Sequence, residues 1–201
     1  ASQGSTQGIH QLLPRLSARQ VAQVGLWGCL RVNPAPEHFD ELPAQMREAR
    51  RWLVWRSVAN PDPAKKPRKI PFYVSGVARN GALDTATDQA QLATFDEALA
   101  VLPRFTGLGF ALGPDGTGKV WQGIDLDSLS QRPALQVLAD DGLPGYTETS
   151  PSGNGIHAIG YGRPFPALGS NASGIEAYSE GRYFTVTADN AGLGEPTDLA
   201  D

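Results

Sequence analysis

The chain has 201 residues, 40% hydrophobic and 19% charged, which suits one good-sized globular domain or a domain with an appendage. A lone cysteine, Cys29, excludes an intramolecular disulfide framework and a cysteine-based zinc site, and no apolar run approaches the ~20 residues of a membrane-spanning helix. The net charge of −4 argues against a uniformly basic nucleic-acid binder, yet the segment Arg47–Lys69 carries eight basic residues against Glu48 and Asp62, a local +6 that leaves −10 elsewhere.

In chain order, residues 1–44 read as an N-terminal appendage or linker. Ala1–Gly8 is small and polar, a short helix with Ser17 as N-cap is predicted within Leu12–Trp27, and Asn33–Pro43 is broken by prolines. The start at Ala1 and the single methionine, Met46, point to a piece of something longer. A domain is expected over 45–190 and an acidic tail or linker over 191–201. Within the domain, a helix running through Arg50 leads into the strand Trp52–Arg56, and a basic loop from Lys65 enters a second strand, Ile70–Val74. Thr94 followed three residues later by Glu97 predicts a capping box that opens a helix over Phe95–Leu102. The apolar runs Gly107–Leu112 and Val120–Asp127, separated by the turn Pro114–Gly118, read as a β-hairpin. A helix over Pro133–Asp140 precedes strands at Tyr146–Thr149, Ile156–Tyr161, Gly174–Tyr178 and Arg182–Thr187, the last two predicted to pair. Strands outnumber helices and cluster late, which predicts an α+β fold around a mainly antiparallel or mixed sheet.

The chemistry concentrates in the second half. Side chains alternate along a strand, so Asp125 and Asp127 share one face while Ile124 and Leu126 take the other. Like charges that close repel unless a cation neutralises them, and hard carboxylate oxygens suit Mg²⁺ or Mn²⁺. Glu176, between Ile175 and Ala177, is again a carboxylate opposite the core, and makes sense as a third ligand for such cations. The loop containing Ser150, Ser152, Gly153 and Asn154 has the small residues and hydroxyls that let a backbone approach a phosphate, and His157 follows at a strand start. Arg182 is placed either to hold a triphosphate with a forked guanidinium or to pair with Glu176 or Glu180. The basic segment is either a solvated surface or a guide for a polyanion, with Arg56, Lys65, Lys66, Arg68 and Lys69 the candidate phosphate contacts. Trp52, Trp55, Phe72 and Tyr73 are candidates for base stacking or for the core.

Four segments occur in order: Gly-Ile-Asp-Leu-Asp (123–127), Tyr-Thr-Glu-Thr-Ser-Pro-Ser-Gly-Asn-Gly-Ile-His (146–157), Gly-Ile-Glu-Ala-Tyr (174–178) and Gly-Arg-Tyr-Phe-Thr-Val-Thr (181–187). Together they resemble the phage and plasmid primase–polymerases of the archaeo-eukaryotic primase superfamily, over roughly residues 50–190. The resemblance implies a two-part α/β unit with an RNA-recognition-like sheet, two bound Mg²⁺ or Mn²⁺ ions on Asp125, Asp127 and Glu176, and His157 on the phosphates of an incoming nucleotide. It also implies a nucleotidyltransferase of phage or plasmid replication in a bacterial cytoplasm. Its partners would be a single-stranded DNA template, a primer, dNTPs or NTPs, and a helicase domain or replisome protein, with no membrane. One position departs from the pattern: a serine is usual two residues before the motif histidine, where this chain has Gly155. Two rivals remain at this level, a metal-dependent glycosyltransferase using a nucleotide-sugar and a non-catalytic replication-initiation module that binds DNA.

Overall fold

Two antiparallel sheets organise the residues described by the computed structural model, 36–189, 192 and 194–200. The first sheet has the order β2 (Arg68–Phe72), β1 (Trp52–Val58), β3 (Gly107–Ala111), β9 (Tyr183–Val186). The second runs β4 (Gly113–Pro114), β5 (Val120–Asp127), β7 (Gly155–Gly162), β6 (Tyr146–Thr149), and β8 (Ile175–Tyr178) lies beside the C-terminal part of β5. Every strand pairing among the described residues is antiparallel, so the expected α+β class holds with two sheets in place of one. Short helices connect them: α1 (Ala44–Glu48), α2 (Ala86–Gln91), α3 (Phe95–Val101) and α4 (Pro133–Asp141). The predicted Ser17-capped helix and Cys29 lie outside the described residues.

Local chemistry explains much of this. Thr94 and Glu97 form the reciprocal capping box that starts α3, satisfying two backbone N–H groups that the first turn would otherwise leave unpaired. Trp52 is fully buried and packs its ring against Phe95 at 4.9 Å and Phe110 at 5.1 Å, and Phe110 in turn meets Trp121 edge-on at 4.8 Å. This aromatic pile joins the two sheets into one main core. A smaller cluster of Leu126, Leu129 and Leu135, flanked by Ile124, Ile156 and Ile175, lies between the far face of β5, β7 and β8 and helix α4.

Several expectations are corrected. The predicted hairpin does not form from Gly107–Leu112, because the chain leaves the first sheet after Leu112. Gly113 makes that turn at φ +117, a backbone position that a side chain would strain, and only Gly113–Pro114 pair with β5. The predicted pairing of the strand at Arg182 with the one bearing Glu176 also fails: β9 pairs with β3 and β8 with β5. The first helix stops at Glu48, and β2 begins two residues earlier than expected, at Arg68. Helix α2 was not expected; Thr85 caps it by accepting from the Asp88 N–H.

The described residues fall within one compact unit. Phe39 and Leu42 belong to the main core, and near the other end Leu199 is buried, its N–H donating to the Gln122 side chain at 2.7 Å. Among the described residues no helix is long and apolar enough to cross a membrane.

Candidate active site

The register of the second sheet sets four polar side chains in one row. Asp125 on β5 lies directly opposite His157 on β7 and opposite Glu176 on β8, while His157 lies opposite Glu148 on β6. Directly opposite residues point to the same face, so the row Glu148–His157–Asp125–Glu176 crosses four strands on the side away from the α4 cluster. Ile124 and Leu126 face that cluster, as the alternation predicts. Strand β9 of the first sheet passes over the polar row: the Phe184 ring stacks on His157 with centroids 4.8 Å apart, and the Thr185 carbonyl lies 3.1 Å from His157 Nδ1. Gly123 permits this approach. A Cβ there would meet the Phe184 ring at 2.5 Å and the Leu112 side chain at 2.6 Å.

A cleft of about 500 Å³ opens over the row, lined by Asp125, His157 and Glu176 together with Lys69, Arg79, Arg182 and the turn at Gly181. Asp125 has its carboxyl pushed above the usual range, first by burial and then by the negative charges of Asp127 and Glu176, against the opposing pull of His157 and Lys69. The Nε2 of His157 is 3.8 Å from Asp125. Tyr178 donates to Glu176 at 2.7 Å, and the Arg182 guanidinium sits 4.7 Å over the Tyr178 ring. The local partner of Arg182 is therefore an aromatic face. Lys66 Nζ is 3.9 Å from Asp127 Oδ1, and neither residue lines the cleft.

A divalent cation fits the donor set in kind. The oxygens are hard carboxylates, and the like-charge pressure on Asp125 is of the sort a cation relieves. As the side chains stand, no group of three or more His, Cys, Asp or Glu among the described residues is close enough to hold an ion. Glu176 is engaged by Tyr178, and Asp127 is neighboured by Lys66.

The other candidates divide. Ser150, Ser152, Gly153 and Asn154 form a tight turn beside the Asp127 end of β5 but do not line the cleft. Ser150 Oγ is 3.0 Å from Ser152 Oγ, and Asn154 Oδ1 accepts from the Ser130 N–H at 2.8 Å, so two of these side chains serve the turn itself. The Gly155 departure has a steric basis: a Cβ there would meet the Leu126 carbonyl oxygen at 2.7 Å and the Ser150 hydroxyl at 3.0 Å.

The basic segment is not one surface. Arg51 is buried and donates to the carbonyls of Ala111, Leu112 and Pro114, Arg47 donates to the Leu42 carbonyl, and Arg50 pairs with Glu97 at 3.4 Å. Lys65 pairs with Asp62 at 3.8 Å, and Arg56 lies over the rings of Phe72 and Phe105. Lys66, Arg68 and Lys69 are exposed, and Lys69 lines the cleft. Of the stacking candidates, Trp52, Trp55 and Tyr73 are buried, which assigns them to packing.

Two features escaped the sequence reading. Glu148 is one; the other is the buried network in which Asp88 accepts from Arg79 at 2.6 and 2.8 Å and from Tyr73 at 2.7 Å. That network supports the cleft, since Arg79 also reaches the Arg182 carbonyl at 3.4 Å and neighbouring Asp84 accepts from the Gly181 N–H.

No family model matches the chain. Over 165 residues it is 30% identical to a DNA primase-polymerase of Nitratiruptor phage NrS-1, a match covering 74% of this chain and 21% of that protein. The chain is related to a phage primase-polymerase and spans about a fifth of its relative's length.

Proposed function

We propose that the chain is the nucleotidyl-transfer portion of a DNA primase–polymerase, in the archaeo-eukaryotic primase superfamily that its motifs resemble. The observation that carries this reading is the row His157–Asp125–Glu176, three side chains from three strands on one wall of a cleft whose rim holds Lys69 and Arg182. The relationship to a phage primase-polymerase supports the same chemistry.

Asp125, Asp127 and Glu176 would hold Mg²⁺ or Mn²⁺, which when bound would lower the charge of the triphosphate and activate a primer 3′-hydroxyl. The protein's own part is positioning and electrostatics. Lys69 and Arg182 offer positive groups to the phosphates, and the buried wall under His157 keeps that ring from turning. The α-phosphate then bonds to the 3′-oxygen as pyrophosphate leaves. Lys66 and Arg68, exposed and close in the chain to Lys69, guide the template strand, a sequence-independent electrostatic role that salt would weaken.

The test is extension of a labelled primer on a DNA template, with dNTPs and NTPs compared under Mg²⁺ and Mn²⁺. Wild-type chain extends the primer, and Asp125→Asn lowers incorporation by roughly a hundred- to a thousandfold, the range seen when a main electrostatic group is removed. Near-normal incorporation by that variant would overturn the site assignment. Turnover of a nucleotide-sugar without any templated synthesis would overturn the polymerase reading in favour of a glycosyltransferase.

A further inference from the structure

Glu148 is a carboxylate in the wrong place for an ordinary strand residue. It is 1% exposed, on β6, and is not among the residues that line the cleft. One oxygen, Oε2, accepts three hydrogen bonds: from the Tyr146 hydroxyl at 2.7 Å, the Thr187 N–H at 3.0 Å and the Ala188 N–H at 2.9 Å. The other, Oε1, is buried with no hydrogen bond and faces His157 Nδ1 at 3.5 Å. Leaving a buried carboxylate oxygen half-satisfied costs free energy, so the arrangement calls for a reason beyond folding.

The reason lies in the histidine. Nδ1 is 3.1 Å from the Thr185 carbonyl oxygen, which can only accept, so Nδ1 carries a hydrogen. Two acceptors, Thr185 and Glu148, therefore converge on that one N–H from β9 and β6, while the Phe184 ring covers the imidazole face. The opposite nitrogen, Nε2, is left pointing at Asp125.

We infer that Glu148 is a positioning residue for His157: with the Thr185 carbonyl it fixes the Nδ1–H tautomer and ring orientation, so that Nε2 faces the cleft as a lone-pair acceptor for a hydroxyl of a bound nucleotide. The role in nucleotide handling rests on the polymerase reading above; the clamp itself does not.

The three donors dictate a diagnostic variant. In Glu148→Gln they still require an acceptor at the Oε2 position, so the amide oxygen goes there and the amide NH₂ takes the place of Oε1. A donor then opposes the Nδ1–H. The ring should move toward the Nε2–H tautomer, with the size and packing of residue 148 kept.

The experiment is two-bond ¹H–¹⁵N correlation of the histidine rings in the full chain, at a pH above the ordinary histidine range, with His157→Gln to assign the signal. The wild type should show Nδ1–H. Glu148→Gln should shift the ratio of the two forms about tenfold or more, since the opposed donors replace an attractive contact. Primer extension read beside it should show a rise in nucleotide KM of about tenfold with a smaller change in kcat.

A wild-type ring in the Nε2–H form overturns the proposal without any variant. So does an unchanged tautomer in a folded Glu148→Gln, and so does a changed tautomer with unaltered nucleotide kinetics. If the wild-type chain incorporates nothing, the polymerase reading and the nucleotide-handling role fail, and the ring signals still decide whether the clamp exists.

Discussion

Substituting Gly123 by alanine tests how the two sheets meet at the site. The added Cβ would lie 2.5 Å from Phe184 Cε2, 2.8 Å from Phe184 Cζ and 2.6 Å from Leu112 Cδ1, whereas ordinary contact begins near 3.4 Å. The Phe184 ring must therefore retreat by about 1 Å, the gap between those figures, and it is buried with little room to do so. Overpacking of this kind costs about 1–3 kcal/mol. Replacing a strand glycine by alanine returns about 0.5–1 kcal/mol by restricting the unfolded chain, so the net loss is about 1–2 kcal/mol. At this chain length that lowers Tm by roughly 2–8 °C. Because Phe184 is stacked on His157, the same retreat disturbs the site, and nucleotide incorporation should fall further than stability alone explains. Differential scanning calorimetry and primer extension on the same preparation read both effects. The double variant Gly123→Ala, Phe184→Leu should recover part of the lost stability. A single variant as stable and as active as wild type would refute the close approach of Phe184.

Other outcomes follow from single features. Thr94→Ala should destabilise the chain by about 1 kcal/mol in urea unfolding, because the Glu97 N–H at the start of α3 loses its side-chain acceptor. Asp88 feels burial pushing its carboxyl up, but the hydrogen bonds from Arg79 and Tyr73 prevail and hold it at about 2. A depressed folded value means the stabilisation is complete above the ordinary carboxylate range, near 3.8, and is lost as pH falls through about 2, which acid unfolding followed by tryptophan fluorescence will show. Asp88→Asn should cost about 3–5 kcal/mol by removing the charge that pairs closely with buried Arg79, leaving it Asp84 at 3.8 Å, and should flatten that acid limb. Lys66→Ala and Arg68→Ala, both exposed, should weaken template binding and reduce its salt dependence, with stability unchanged within about 0.5 kcal/mol.

Signals carried by near neighbours in sequence were legible. The Thr94–Glu97 spacing fixed the start of α3, the limits of β6 matched the predicted strand at Tyr146–Thr149, and alternation placed Asp125 opposite Ile124 and Leu126. What was hidden depends on which strands become neighbours. Nothing in residues 174–187 states that β8 joins β5 while β9 crosses to β3, because the short turn at Gly181 suits a hairpin equally well. The switch of sheets at Gly113 was hidden for the same reason, since the turn Pro114–Gly118 gives a hairpin signal whichever strand precedes it. Charge counts misled over Arg47, Arg50 and Arg51, whose partners are a nearby carbonyl, an acid on α3 and distant carbonyls respectively. Glu148 did leave a trace, an acid sharing the parity of buried Tyr146 on a four-residue strand, but only the register against His157 gives it meaning.

The most direct measurement is a Mn²⁺ titration followed by the paramagnetic resonance of the free ion, in the presence of a non-hydrolysable deoxynucleoside triphosphate. Wild-type chain should remove Mn²⁺ from solution saturably, Asp125→Asn and Glu176→Gln should each weaken that uptake at least about tenfold, and Asp96→Asn, an exposed acid on α3, should leave it unchanged. Equal uptake by wild type and Asp125→Asn would contradict a cation held on the β5–β8 carboxylates.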